Sequence, residues 1–312
     1  MYKEKRIARS EFIPLRGLNH HVQIWQGPGQ AQTTLPPLML LHGWMDVAAS
    51  YQFMIDALSD AFAAGRTILA PDLRGFGRTA PEHAASLPDH YGFPDYLADI
   101  DFLLDHYCTP GQTIDLVGHS MGGNIAMLYA GVRPERIHKL VNLEGFGKPA
   151  SQPSQAPRRL VQWMDELKSL QRGEMTLKPY NDVDGVARRL MKTNPRLSPD
   201  KAQWLANHWA RLDADGKWRV MGEPAHKIVN PQLYRVDEVL EIHKCISAPT
   251  LAIEASDDSM AIWWKEAYSL AQYHERLKQV PQVQVAVIQD AGHMLHHDQP
   301  EQLANLIESF LK

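Results

Sequence analysis

Short apolar runs alternate with segments of helical spacing along most of the chain. A run such as 38–41 has no polar position, which is typical of a strand buried on both faces of a parallel sheet. Between the runs, apolar residues recur three and four positions apart, as amphipathic helices require. The pattern predicts an α/β fold, with a mostly parallel sheet and helices on both faces. The predicted strands are 38–41, 67–70, 113–117, 139–143, 249–253 and 283–288, and the predicted helices are 50–62, 93–108, 121–133, 261–278 and 299–308.

Two other parts of the chain depart from this alternation. Residues 7–26 alternate apolar and polar positions around a turn, which predicts an antiparallel hairpin, and glycines and prolines at 26–37 then predict a loop. Residues 150–245 contain helical patterns and many aromatic residues but no convincing buried strand. Because the sheet pattern resumes afterwards, we interpret 147–246 as a helical cap inserted into a core domain formed by 1–146 and 247–312.

Composition limits the classes of function. The chain has 312 residues, a net charge of −4 and 44% hydrophobic residues, which predicts a folded enzyme with a small-molecule substrate and no nucleic-acid partner. The charged start is followed by no apolar signal segment, and no stretch is apolar enough to span a membrane. We therefore expect a cytoplasmic monomer or homodimer with no membrane partner. Cys108 and Cys245 are too few and too far apart to predict a disulfide framework or a metal site.

One segment places a serine between a strand and a helix. The strand predicted at 113–117 is followed by Gly118-His119-Ser120-Met121-Gly122 and then by good helix formers. The G-x-S-x-G motif requires this context, because glycine lacks a Cβ and permits a turn tight enough to expose the serine hydroxyl. The motif predicts Ser120 as a nucleophile. Since Met121 begins the helix, its backbone N–H is a donor without a helical partner and can stabilise an oxyanion.

A serine nucleophile needs a base, and His293 is the best candidate. It lies in the loop after the last predicted strand, where the topology of a parallel sheet brings side chains to the same edge as Ser120. His296, His297 and Asp298 follow and could suggest a metal cluster, but adjacent side chains point in different directions and match no known ligand spacing. The sequence predicts no metal site and no other cofactor.

Four segments of the chain together resemble the α/β-hydrolase fold family, particularly its capped serine esterase, haloperoxidase-like and epoxide-hydrolase-like branches. The resemblance covers almost the whole chain outside the cap and implies an α/β-hydrolase fold with an inserted cap. The four segments are Gly118 to Gly123, His42 to Trp44, Pro71 to Gly77, and Gly292-His293.

The resemblance also implies roles for individual residues. Trp44 is expected to supply a second N–H of the oxyanion hole beside that of Met121. We interpret His42 as a buried histidine that shapes its loop rather than as a catalytic group. Asp72 and Arg74 are interpreted as an ion pair that fixes a loop.

The identity of the nucleophile narrows the chemistry. Epoxide hydrolases and haloalkane dehalogenases resemble this chain but attack with an aspartate, whereas a serine forms an acyl-enzyme. We therefore expect hydrolysis of a carboxylic ester, or of a thioester, lactone or amide, with His293 as the base. Three alternatives stay open: a C–C bond hydrolase, a haloperoxidase-like perhydrolase without a cofactor, and a hydrolase-like receptor with slow turnover.

The triad acid has three candidates in the sequence. The common family pattern after the strand at 249–253 places the acid on Asp258, which we prefer, although Ala255 stands where the family has a glycine. Asp257 could serve if the turn is shifted by one residue. Glu144 ends the strand after the nucleophile helix, a position where some dehalogenases of this fold carry a catalytic glutamate.

Overall fold

A mixed sheet organises the chain. The computed structural model describes residues 2–26, 35–82 and 88–312, so residues 27–34 of the predicted loop lie outside the described residues. The strands are β1 (Arg9–Leu15), β2 (Leu18–Trp25), β3 (Leu38–Leu41), β4 (Ile68–Pro71), β5 (Ala80–Pro81), β6 (Ile114–His119), β7 (Ile137–Leu143), β8 (Ala210–Leu212), β9 (Trp218–Val220), β10 (Thr250–Ala255) and β11 (Val283–Ile288).

The α-helices lie mainly between these strands, as the alternation of patterns predicted. They are α1 (Gln52–Ala57), α2 (Asp60–Ala64), α3 (Phe93–Tyr107), α4 (Met121–Val132), α5 (Ala156–Gln171), α6 (Val183–Thr193), α7 (Pro199–Trp209), α8 (Val236–Lys244), α9 (Ser259–Trp264), α10 (Leu270–Leu277), α11 (Leu295–Asp298) and α12 (Pro300–Leu311). Within the described residues, no helix combines the length and the apolar character needed to cross a bilayer.

The order of strands in the sheet is β1-β2-β4-β3-β6-β7-β10-β11, with β5 paired to β2. The hairpin β1-β2 is antiparallel, as predicted, and β2 also pairs antiparallel with β4. From β4 through β3 to β11 every pairing is parallel. The carboxyl ends of β3, β6, β7 and β10 therefore meet at one edge of the sheet, where open α/β sheets form their binding sites.

Neighbouring residues of each central strand belong to separate cores. In β3, Met39 and Leu41 pack in the core beneath α3, α4 and α10, whereas Leu38 and Leu40 pack in the core beneath α1 and α12. Side chains of a strand alternate between faces, so a strand covered on both faces needs apolar residues at every position. This explains the uninterrupted apolar runs and confirms the predicted α/β class.

The segment between β7 and β10 differs from the sequence interpretation in one respect. It contains helices α5 to α8, but also the short antiparallel ribbon β8-β9, which the pattern did not predict. Strands of three residues are too short to show a period-two pattern. Helices α6 and α7 pack on each other around Val186, Ala202 and Leu205. The boundary of the cap at 246 stays a prediction, and α8 packs against α4 of the core, where Ile242 lies against Gly131.

Two predicted helices are interrupted. The helix predicted at 50–62 is divided into α1 and α2, because Ser59 accepts a hydrogen bond from the Phe62 N–H and so caps a new helix. The helix predicted at 261–278 is divided into α9 and α10 at Lys265, whose φ of 47° cannot continue a helix. Each break lies within a segment of continuous helical spacing.

Candidate active site

Ser120 occupies a sharp turn between β6 and α4. Its φ of 54° and ψ of −114° are unfavourable for a residue with a side chain. The turn is held by a 2.8 Å hydrogen bond from the Ser120 N–H to the Leu143 carbonyl. A Cβ at Gly118 would overlap the Gly122 carbonyl, and a Cβ at Gly122 would overlap the Leu41 carbonyl. The glycines of the motif are therefore required by the close approach of three backbone segments, and the strained turn leaves the Ser120 side chain half-buried.

His293 lies in the loop after β11, at the sheet edge that also carries Ser120. Both residues line one cavity of ≈ 510 Å³, called here the first cavity. The His293 ring stands edge-on to the Trp263 indole, with 4.1 Å between ring centroids. Among the described residues no hydrogen bond joins His293 to Ser120. Burial lowers the pKa of His293 below 6.5, so the imidazole is neutral near pH 7 and able to accept a proton.

Glu144 is the carboxylate in contact with this histidine. Its Oε2 lies 3.3 Å from His293 Nδ1, while its Oε1 accepts a 2.7 Å hydrogen bond from the Ala255 N–H. Glu144 has a φ of 56°, so the chain turns immediately after β7. The residue is 3% exposed, and burial raises the pKa of its carboxyl from 4.5 to about 7.

The preferred candidate, Asp258, does not occupy this position. Asp258 is exposed, and its Oδ1 accepts the Ala261 N–H as the N-cap of α9. Asp257 forms an ion pair with Arg196, with 2.7 Å between Asp257 Oδ2 and Arg196 Nη1. Of the three carboxylates that the sequence offered, only Glu144 makes a hydrogen bond or ion pair with His293 in the described part of the chain. The preference for Asp258 thus disagrees with the geometry, because the turn after β10 directs that side chain to a helix end.

The two expected oxyanion donors flank the nucleophile. Met121 is the first residue of α4, and Trp44 follows Gly43 in the loop after β3. A Cβ at Gly43 would lie 3.3 Å from Ser120 Cβ, so this loop passes directly beside the serine. Ser120, Met121 and Trp44 line a second cavity of ≈ 440 Å³. These positions are compatible with two N–H groups that face one oxygen atom, as an oxyanion hole requires.

The structure agrees with the interpretation of His42 but not with the ion pair expected between Asp72 and Arg74. His42 is fully buried, and its Nε2 accepts the Leu73 N–H at 2.9 Å, as expected for a structural histidine. Asp72 and Arg74 do not pair with each other. Asp72 binds His21 Nδ1 at 2.7 Å, and Arg74 binds Asp99 at 2.6 Å. Each charge instead fixes a different element to this loop, because residues two apart diverge in an extended turn.

The sequence reasoning missed a role for His119. Its Nε2–H donates a 2.7 Å hydrogen bond to the His293 carbonyl and so joins the residue before the nucleophile to the loop of the base. Ser50 was also missed: its hydroxyl lies 3.0 Å from His296 Nε2 and 2.7 Å from His297 Nε2. The histidines at 119, 296 and 297 could have suggested a cluster, but no pattern along the chain indicates that Ser50 joins them.

Cavities extend from the candidate site in different directions within the described part of the chain. The first cavity extends toward the segment between β7 and β10 and is lined there by Leu190, Leu205 and Trp209. The second cavity extends in another direction, toward Tyr91 and Phe146. A third cavity of ≈ 250 Å³ shares residues with the second but does not reach Ser120. Its lining is largely apolar and includes Phe93, Leu97, Met127, Leu233 and Ile242.

Comparison with known proteins gives a consistent picture. Residues 36–300 match the family model described as the alpha/beta hydrolase fold. A serine hydrolase-like protein of Danio rerio is 23% identical over 98% of this chain and 90% of its own length. An sn-1-specific diacylglycerol lipase of Mus musculus is 22% identical over 89% of this chain and 81% of its own. The solved thioesterase domain from a curacin biosynthetic pathway has a TM-score of 0.77 at 24% identity and covers 97% of this chain and 99% of that domain.

Proposed function

Because the chain belongs to the α/β-hydrolase fold family, we propose that it is a serine hydrolase that cleaves carboxylic esters through an acyl-enzyme. One observation carries the proposal: Glu144 contacts His293 Nδ1 at 3.3 Å, and His293 shares a cavity with Ser120 at the strained turn. An acid, a base and an exposed hydroxyl in this order perform nucleophilic acyl transfer on several folds. The proposed triad is therefore Ser120, His293 and Glu144.

Each residue has a defined task in the proposed mechanism. His293 Nδ1–H donates to the Glu144 carboxylate, which leaves the lone pair of Nε2 free to accept the Ser120 hydroxyl proton. Ser120 Oγ then attacks the ester carbonyl, and the oxyanion accepts hydrogen bonds from the N–H groups of Trp44 and Met121. The hydrogen bond between serine and base tightens when substrate binds, as in many hydrolases whose free form lacks it.

The second half of the reaction reuses the same groups. The imidazolium of His293 gives its proton to the departing alcohol, and Ser120 keeps the acyl group as an ester. A water molecule then loses a proton to His293 and attacks the acyl carbon. The bond between the acyl carbon and Ser120 Oγ breaks, the proton on His293 passes to Ser120 Oγ, and the free acid leaves. Glu144 stabilises the imidazolium in both steps.

The first and second cavities together support an apolar ester substrate whose acyl and alcohol groups extend in two directions from the scissile bond. The first and second cavities both contain Ser120, Trp44 and Trp263, so the scissile ester would lie where they join. We propose that one cavity takes the acyl group and the other takes the alcohol. Residues 147–246 then act as a cap, since Leu190, Leu205 and Trp209 close the first cavity above the serine. Relatives named as a lipase and a thioesterase domain are compatible with acyl substrates.

A pair of serine variants tests the proposal. Ser120→Ala is expected to abolish labelling by a fluorophosphonate probe and release of p-nitrophenol from short acyl esters, because the nucleophile is lost. Ser256→Ala is the matched control: Ser256 directly follows β10, its hydroxyl forms hydrogen bonds with the Ala291 backbone in the described part of the chain, and both activities should be retained. Labelling that persists in Ser120→Ala would show that another residue is the nucleophile. A wild-type protein that is labelled but releases less than one product per chain would instead favour a receptor.

A further inference from the structure

Three buried polar side chains meet behind the nucleophile. Asp46 lies in the loop after β3, His119 directly precedes Ser120, and His296 lies in α11. These residues are 5%, 1% and 0% exposed. One ligand atom from each lies within 4.8 Å of the ligand atoms of the other two. They come from three distant parts of the sequence, so the fold alone creates the group.

Each of these residues also has a buried atom without a hydrogen-bond partner. The atoms are Asp46 Oδ2, His119 Nδ1 and His296 Nδ1, within the described part of the chain. Asp46 Oδ1 accepts a 2.9 Å hydrogen bond from the Val47 N–H, but Oδ2 has no such donor among the described residues. Buried polar atoms are nearly always paired, so three unpaired atoms on one group of residues require a physical explanation, such as a bound ion or water.

One hydrogen bond fixes which nitrogen of the His119 ring carries the proton. His119 Nε2 must carry the proton, because it contacts the carbonyl oxygen of His293. The other ring nitrogen, Nδ1, is buried and has no hydrogen-bond partner among the described residues, so it can hold a lone pair. A histidine whose outer N–H donates to a carbonyl while its inner nitrogen is bare is the arrangement found in metal-binding histidines.

Ser50 allows the same arrangement at His296. His297 Nε2 donates to the Ser50 carbonyl at 3.1 Å and lies 2.7 Å from the Ser50 hydroxyl oxygen. The Ser50 oxygen then accepts from His296 Nε2 at 3.0 Å, which leaves His296 Nδ1 as a lone pair. In this arrangement each of the three unpaired atoms is an acceptor, and no proton must be removed from a histidine for a cation to bind.

We propose that Asp46, His119 and His296 form a binding site for one divalent transition-metal ion of the zinc class. Two imidazole nitrogens and one carboxylate oxygen suit such an ion, whereas calcium and magnesium prefer oxygen ligands. Asp46 and His119 also line the first cavity, so an ion and a water molecule as fourth ligand can reach the site. An ionised Asp46 carboxylate would offset part of the ionic charge in this buried position.

This site differs from the cluster that the sequence suggested and rejected. Asp298 is committed elsewhere, since it accepts hydrogen bonds from the Gly292 N–H and from Asn194. His297 contacts Ser50 through Nε2 and does not belong to the group. Of the adjacent residues His296, His297 and Asp298, only His296 belongs to the proposed site. The ligands therefore show no recognisable spacing along the sequence.

Equilibrium dialysis against Zn²⁺ tests the proposal on untagged, metal-stripped full-length protein, with bound zinc measured by elemental analysis. We expect one tight zinc ion per chain in the wild type. Asp46→Asn keeps the size of the side chain but lowers the ligand charge, and His296→Gln keeps a polar group near Ser50 but removes Nδ1. Both should weaken zinc binding at least about 100-fold, more than the loss of a supporting hydrogen bond around a metal ligand.

His297→Gln is the matched control, because the residue is equally buried and also contacts Ser50. It should retain the tight ion. If Asp46→Asn binds zinc as tightly as the wild type, or if the wild type has no tight ion, the proposal is wrong and the three atoms hold only buried water. Visible absorption of the Co²⁺-loaded protein gives a second readout: four-coordinate d–d bands should form in the wild type and His297→Gln and be lost in Asp46→Asn.

A consequence for turnover rests on the proposed function. The rings of His119 and His293 have centroids 4.7 Å apart, so a cation on His119 opposes the positive charge that develops on His293 during acyl transfer. Bound zinc should therefore slow ester hydrolysis in the wild type and in His297→Gln, but not in Asp46→Asn. Equal inhibition of Asp46→Asn would overturn this consequence. Dialysis needs no turnover, so a protein without esterase activity would refute the proposed function and leave the metal site to be decided by binding.

Discussion

Replacing Glu144 with glutamine separates the stability cost of a buried carboxylate from its proposed catalytic role. Glu144 is 3% exposed, and burial raises its pKa from an ordinary value of 4.5 to about 7. Glutamine preserves the size of the side chain and an oxygen that can accept the 2.7 Å hydrogen bond from the Ala255 N–H. Glu144→Gln therefore removes a titrating charge and leaves the packing of the site in place.

The raised pKa sets the direction and size of the stability change. A carboxyl group whose pKa rises on folding favours the folded state at low pH, and this contribution is lost as the pH rises through the folded value. At about 1.4 kcal/mol per unit, the shift costs the wild type about 3 kcal/mol well above pH 7. Glu144→Gln avoids this cost, so we expect it to be more stable by about 3 kcal/mol at pH 8.5 but only about 1 kcal/mol at pH 5.5.

Urea unfolding at the two pH values measures this difference, and initial rates on p-nitrophenyl esters measure the activity. We expect kcat to fall about 10⁴-fold in Glu144→Gln, since a neutral amide neither stabilises the imidazolium nor favours the productive tautomer of His293. Asp258→Asn is the matched control, because asparagine also caps a helix and its kcat should change little.

Two results would refute the reasoning. A nearly normal kcat in Glu144→Gln would remove Glu144 from the triad. A variant less stable than the wild type at pH 8.5 would show that the folded site favours the charged carboxylate, contrary to the burial of Glu144.

Three further predictions follow from the site and the fold. In the wild type, kcat/KM should fall as the pH decreases through about 7, where the Glu144 carboxyl gains its proton, and a flat profile between pH 5.5 and 8 would contradict this. Gly122→Ala should unfold the protein or cost more than about 3 kcal/mol in urea, since its Cβ would overlap the Leu41 carbonyl. Gly92→Ala has space for the methyl group and should cost less than about 1 kcal/mol. Trp209→Leu should change the preference for acyl chain length in a series of p-nitrophenyl esters, because Trp209 lines the first cavity, whereas Trp218→Leu, in the ribbon outside the cavities, should not. Equal preferences in both variants would exclude Trp209 from the substrate pocket.

The sequence by itself determined the elements that depend on local patterns. Apolar runs identified the buried strands because strands covered on both faces tolerate no polar position. The motif from Gly118 to Gly122 identified the turn between β6 and α4, because a close approach of backbones permits only glycine at those two positions. His293 was identified from its place after the last strand, since parallel strands deliver their following loops to a common edge.

Only the tertiary structure decided which carboxylate meets His293. The three candidate carboxylates all follow strands that end at this edge. Their positions along the sequence therefore do not distinguish Asp258, Asp257 and Glu144 from one another. The direction of each side chain depends on the turn after its strand, and the φ of 56° at Glu144 turns its carboxylate toward His293. Asp258 instead caps α9.

The group formed by Asp46, His119 and His296 was also decided by the tertiary structure, and no sequence pattern pointed to it. A hydrophobic pattern records which positions are buried, but it does not record which buried polar atoms meet across distant segments. Such contacts arise from the packing of the loop after β3, the turn after β6 and α11 against one another. The unpaired atoms of this group become visible only when every hydrogen bond around them has been assigned.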